Sequence, residues 1–67
     1  MTTLGTKWVE IEDKELSKRI FEQTRLMEPY EEAVSLHVWE ERFVVEQIPY
    51  RVFGNFTNDG YIVEELK

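Results

Sequence analysis

The residues best suited to chemistry are concentrated in one stretch, SLHVWEERFVVEQ, at positions 35–47. It holds the only histidine of the chain, His37, and three glutamates. On a helix, His37 and Glu41 would share a face, as in the inverted zinc motif H-x-x-E-H. Glu41 stands where that motif needs a second histidine, and the chain has no cysteine to complete a zinc set. We therefore predict no metal and no catalytic residue here, and keep a metal-binding or acid–base enzyme site around His37 as the second alternative.

The segment that starts at Asn55 has the spacing of a calcium loop, with Gly60 at the position of the sharp turn. The twelfth position of such a loop requires a bidentate glutamate, and here it is Leu66. Asn58-Asp59-Gly60 is also a strong signal for a three-residue hairpin loop. We therefore predict a hairpin at 58–60 and no cofactor.

Adjacent glutamates occur three times along the chain, at 31–32, 40–41 and 64–65. Acid–base catalysis needs two carboxyl groups in different environments within a pocket. Neighbouring residues of a strand point to opposite faces, and so small a domain has little room for a pocket of about 300–1,000 Å³. These pairs favour a solvated surface over a catalytic site, and the chain is not expected to be an enzyme.

Helix and strand patterns compete over the stretch that holds His37. Apolar residues from Ala33 to Ile48 scatter around a helical wheel, whereas Val34, Leu36 and Val38 alternate with polar residues. The pattern predicts two strands, at 33–40 and 43–48, that meet at Glu40-Glu41-Arg42. On such a strand His37 would be a half-exposed residue that shares a face with Ser35 and Trp39.

One helix is predicted ahead of these strands, at about 14–27, after a short strand at 7–12. Asp13 is suited to the N-cap, and Pro29 disfavours helical geometry at Glu28. The predicted apolar stripe, with Phe21 at its flank, consists of Leu16, Ile20 and Met27. The opposite, basic stripe is predicted to be solvated and consists of Lys14, Lys18 and Arg25.

Beyond the strand predicted at 43–48, the period-two pattern continues to about residue 53, with Glu46 as the exception, so one long bent strand is also possible. Pro49 then lies at a bulge or on an edge, and Gly54 marks a bulge or a turn. A last strand is predicted at 61–66. The sequence predicts a single α+β domain over residues 1–67, in which one helix packs on a mostly antiparallel sheet of about four strands in the order β-α-β-β-β.

The chain has 67 residues and a net charge of −6, and the charge is uneven. Residues 1–25 carry five acids and five bases, whereas residues 26–67 carry nine acids and three bases. An acidic surface disfavours nucleic acid, because it repels phosphates. No apolar run approaches the ~18 residues of a membrane span, and the start lacks the apolar segment of a signal peptide. The expected location is the cytoplasm.

These patterns resemble no particular family. The leading hypothesis is a small acidic, non-enzymatic protein-interaction module that inhibits or regulates a basic, nucleic-acid-binding partner, a type of chain common on phages and other mobile elements. The alternative is a structural homodimer that pairs through an edge strand or an exposed sheet face. Trp39 and Tyr50 are the aromatic residues expected to be exposed. The candidate partner-binding residues are Glu31, Glu32, Trp39, Glu40, Glu41, Glu46, Tyr50, Glu64 and Glu65.

Overall fold

The computed structural model describes residues 7–57 and 60–67. Within them the chain forms one helix and five strands, which follow one another as β1 (Trp8–Glu10), α1 (Lys14–Thr24), β2 (Glu31–Val34), β3 (Val38–Val45), β4 (Ile48–Asn55) and β5 (Tyr61–Leu66). The strands form a single antiparallel sheet in the order β1-β5-β4-β3-β2, and α1 packs on one face of it. The predicted α+β class is confirmed, with five strands in place of about four.

The helix α1 begins as predicted but ends three residues early. The Asp13 carboxylate accepts hydrogen bonds from the backbone N–H groups of Glu15 and Leu16, which are among the groups that a helix start leaves unpaired. The last helical residue is Thr24, which is buried together with Ile20. Met27 therefore lies beyond the helix and is half exposed, so its predicted place in the apolar stripe is wrong. The Thr24 hydroxyl donates to the carbonyl oxygen of Phe21, which makes its burial tolerable.

The residues from Glu40 to Arg42 lie in the middle of β3, so the predicted break at this point is wrong. The strand tolerates the three charges because each has a partner of opposite charge on a neighbouring element. The real ends of β3 are two hairpin turns. One lies before Val38 and connects β2 to β3, and the other, at Glu46 and Gln47, connects β3 to β4.

The turn at Glu46 and Gln47 explains why Glu46 interrupts the period-two pattern. Both residues have positive φ angles, 52° and 70°, the combination found in type I′ hairpin turns. Asparagine and glycine are the usual residues in such turns, because a β-carbon disfavours this region. The pattern therefore belongs to two strands, and not to one long bent strand from 43 to 53.

Pro49 and Gly54 both lie inside β4. Pro49 pairs with Val44 of β3, and the ladder between β4 and β5 starts one residue later, at Tyr50, so no second strand needs its missing N–H. Gly54 pairs with Trp39 on one side and Tyr61 on the other, so it marks neither a turn nor a bulge. The hairpin predicted at Asn58-Asp59-Gly60 falls partly outside the described residues, and the connection between β4 and β5 spans residues 56–60.

The core lies between α1 and the sheet. Its buried residues come from the helix and the three central strands, and they are Ile20, Phe43, Val45, Tyr50, Val52 and Val63. Because side chains alternate along a strand, this face holds residues 39, 41, 43 and 45 of β3. We call it the helix face. The opposite face, which holds residues 40 and 42 of β3, is called the open face.

Candidate interaction surface

The open face is organised around Arg51 of β4. Its guanidinium group forms ion pairs with Glu64 of β5 and, at 3.6 Å, with Glu40 of β3. It also lies against two aromatic rings, 5.4 Å from the centre of Trp8 and 5.1 Å from the centre of Phe53. A planar cation that lies against two rings gains cation–π attraction in addition to the ion pairs. Arg51 thus joins β1, β3 and β5 across the open face.

Arg42 of β3 extends the same network toward the sheet edge. It forms ion pairs with Glu31 of β2 and with Glu40, each at 3.0 Å, and lies 5.8 Å from the centre of the Trp8 ring. The hydrogen bond to Glu40 raises the pKa of Arg42 above its ordinary value. The three glutamates and two arginines of this network leave a net charge of only −1, which is less charge for a partner than the sequence suggests.

A second cluster, on the helix face, involves Arg25, the C-cap of α1. Its guanidinium forms a 2.7 Å ion pair with Glu41 and lies 4.6 Å from the centre of the Phe21 ring and 5.7 Å from that of Trp39. Phe21 in turn stacks on Tyr61, with 3.8 Å between ring centres. Arg25 was predicted to be solvated on the outward stripe. Its side chain does stay 40% exposed, but it lies against the sheet and not on an outward stripe, because α1 ends one residue before it.

Tyr50 lies on the helix face and is only 7% exposed, so its predicted exposure is wrong. Its ring belongs to the core because β4 is flanked by β3 and β5 at this position. Burial raises the pKa of the Tyr50 hydroxyl, and the carboxylates of Glu65 and Glu46 raise it further. Trp39 is half-buried and keeps part of its surface exposed.

Among the described residues after Arg25, four acids have no ion-pair partner, namely Glu28, Glu32, Glu46 and Glu65. The only described bases of the same segment are Arg42 and Arg51, which the open face already uses, and Lys67. These four side chains therefore carry most of the acidic surplus of the second part. Glu28 and Glu32 lie on either side of the start of β2, at one edge of the sheet.

An apolar groove of about 360 Å³ opens at the end of the sheet where β4 and β5 are connected. On the open face it is lined by one apolar side chain from each of three neighbouring strands, namely Val38 of β3, Phe53 of β4 and Ile62 of β5. Phe56, which follows β4, is 58% exposed, and its backbone N–H donates to the carbonyl oxygen of His37. Exposed apolar side chains are therefore grouped at this end of the open face.

The prediction that His37 lies half-exposed on a strand is wrong. His37 lies in the hairpin turn between β2 and β3 and is exposed. It therefore shares no helical face with Glu41, which removes the geometry of the zinc motif. Within residues 7–57 and 60–67, no group of three or more histidine, aspartate or glutamate side chains could hold a metal ion. Asn55 accepts hydrogen bonds from the N–H and the hydroxyl of Thr57, a local turn contact.

The structure brings together some of the predicted candidates and separates others. Glu31, Glu40 and Glu64 lie in one network on the open face, whereas Glu32, Trp39 and Glu41 lie near the edge of the helix face. The arginines that bind these acids were not predicted from the sequence. A signal for Arg42 was present, because Glu40 and Arg42 are two residues apart and therefore share a face of any strand.

Comparison with known proteins gives this chain no relative: no family model matches it, and no curated protein or solved structure is significantly similar to it. In the part of the chain that the structure describes, no helix is long and apolar enough to cross a membrane.

Proposed function

We propose that the protein is a non-enzymatic interaction module that binds a basic protein and thereby inhibits or regulates it. The observation that supports this is the group of described acids without an internal ion pair, namely Glu28, Glu32, Glu46 and Glu65. Every arginine from Arg25 onward is already held by an internal ion pair. A partner that supplies lysine or arginine side chains would pair with these acids and would be steered to them by the opposite charge.

Fewer of the predicted partner-binding acids are available on this proposal. Glu31, Glu40, Glu41 and Glu64 contribute to the fold through ion pairs, so a partner would have to compete for them. The acids that attract the partner are instead those without an internal ion pair, and Glu32 is the most exposed strand position among them. The basic partner is a protein and not a nucleic acid, because the same surplus repels phosphate groups.

The test is affinity capture with the immobilised chain from the lysate of its source, followed by binding measurements with the purified partner. Glu32→Lys is expected to weaken binding at least about tenfold, which corresponds to 1.4 kcal/mol. Glu22→Lys makes the same change of charge on the exposed face of α1 and is the matched control. Raising the salt to about 1 M shortens the Debye length to about 3 Å and should weaken binding further. Binding that ignores both the salt and Glu32→Lys would refute the proposal.

A second candidate is a structural homodimer, and the apolar groove favours it. Val38 and Ile62 are 48% and 37% exposed at the groove, and Phe56 beside it is more exposed still. A second copy that covered this end would remove these side chains from water. Sedimentation at high micromolar concentration should then give a dimer that Ile62→Glu converts to a monomer. A monomer in the unmodified protein excludes this candidate.

A further inference from the structure

The strand β2 (Glu31–Val34) forms one edge of the sheet and pairs with β3 alone. All four of its residues are exposed. An edge strand presents a row of backbone donors and acceptors that another strand can use. The other edge of the sheet, β1, has only three residues.

The hairpin between β2 and β3 fixes which backbone groups point outward. Ser35 donates its N–H to the carbonyl oxygen of Val38 at 2.9 Å, so these two residues form a hydrogen-bonded pair. In an antiparallel ladder, hydrogen-bonded and non-hydrogen-bonded pairs alternate. The next hydrogen-bonded pair is therefore Ala33 with Glu40, and the backbone groups of Glu32 and Val34 point away from β3.

The side chains beside this edge combine negative charge with apolar surface. Glu28 and Glu32 are exposed without an ion pair, and Glu31 is 60% exposed beside Arg42. Tyr30 and Val34 are 57% and 69% exposed. Charged side chains, lysine above all, protect many natural edge strands from unwanted pairing. An acidic edge still attracts a basic segment, because an added strand brings its side chains within reach of the residues that face them.

We propose that β2 accepts an extended, basic segment of the partner protein as a sixth strand. Its backbone would pair with Glu32 and Val34, its lysine or arginine side chains would face Glu32 and Glu28, and an apolar side chain would contact Val34. This inference rests on the proposed function and adds the mode of recognition, β-strand addition. A second copy fits the edge less well, because two β2 strands would bring their acids together.

The probe is a fluorescently labelled peptide of about ten residues, a length within the range of single strands. Lysine and valine alternate along one face of this peptide, and threonine occupies the positions between them, because Glu32 and Val34 lie on the same face of β2. Its binding is followed by fluorescence anisotropy. Val34→Pro removes the outward N–H at a position where an edge strand tolerates proline, and Val34→Thr retains it. We expect Val34→Pro to weaken binding at least about tenfold, equal to 1.4 kcal/mol, and Val34→Thr to change it by less than threefold.

Hydrogen exchange in the unmodified protein provides a readout that does not depend on how well the proline variant folds. On addition of the peptide, the amides of Glu32 and Val34 should become protected, whereas those of β1 should not. Protection elsewhere with none at these two amides overturns the inference. Peptide binding that survives Val34→Pro also overturns the inference. In that case the proposed function still stands if Glu32→Lys weakens binding to the whole partner protein. A dimer whose formation protects the same amides in the absence of peptide overturns the inference in favour of self-pairing.

Discussion

Trp39 and Gly54 are direct partners across β3 and β4, and the indole of Trp39 covers the glycine on the helix face. A β-carbon on Gly54 would lie 2.7 Å from Cζ2 of Trp39 and 2.8 Å from the carbonyl oxygen of Gly60. Both distances are shorter than van der Waals contact. Glycine at this position therefore decides where the largest side chain of β3 can lie.

Gly54→Ala should lower the free energy of unfolding by about 1–3 kcal/mol, the usual range for overpacking a filled site. Urea unfolding followed by Trp fluorescence measures the change. Trp39→Phe in the Gly54→Ala background removes the indole atoms but leaves the Gly60 carbonyl, so it should restore part of the loss. A Gly54→Ala protein as stable as the original would contradict the close packing of Trp39.

Replacing Glu46 with Asn together with Gln47 with Gly should stabilise the protein by about 1–2 kcal/mol, because both positions have positive φ angles that strain ordinary residues. Thermal and urea unfolding measure the gain. The matched control is the same pair of changes at Leu36 and His37, where the other two-residue turn has no positive φ. A similar gain at both turns would point to a general effect of Asn-Gly and not to relief of strain at Glu46 and Gln47.

Arg51→Met should destabilise the fold by about 1–3 kcal/mol, because it leaves the mostly buried Glu64 carboxylate without its cation. Adding Glu64→Gln should recover part of this loss, and the double-mutant cycle gives the coupling between the two side chains. Arg51→Lys retains the charge but not the planar contact with Trp8 and Phe53, so its free energy of unfolding should lie between those of the unmodified protein and Arg51→Met. Additive effects of Arg51→Met and Glu64→Gln would show that the pair contributes nothing.

Stability should fall at alkaline pH because of Tyr50. Its pKa is raised in the folded protein, so the native state retains the proton more strongly than the unfolded chain. The contribution is complete below the unfolded value of about 10 and is lost as the pH rises from there through the folded pKa. Tyr50→Phe should remove this part of the pH dependence in urea unfolding between about pH 9 and 11. An unchanged pH profile in Tyr50→Phe would assign the fall to other groups.

The extent to which the sequence predicted the fold follows from which interactions are local. The Asp13 cap and the position of Ile20 depend on neighbours within one or two turns, and both were predicted. The continuity of β3 through Glu40, Glu41 and Arg42 was not, because the charges that stabilise it come from Arg25, Arg51 and Glu31, which lie far away in the chain or across the sheet.

The candidate surface shows the same limit. The sequence identified the acids by type, and those acids are present at or near the surface. It did not indicate which of them are neutralised, since the pairing of Glu64 with Arg51 requires the register of β4 against β5. Tyr50 was expected to be exposed for a similar reason, because its burial depends on having a strand on each side.

The pairing of β1 with β5 has a consequence for the order of folding. The strands β2 to β5 pair with their neighbours in the chain, whereas the pairing of Trp8 with Leu66 closes a longer loop than any other pair of described strands. The entropic cost of closure increases with loop length. We therefore expect the three hairpins to form early, and β1 to join last and to open first under mild denaturant, carrying Trp8 away from the arginines of the open face.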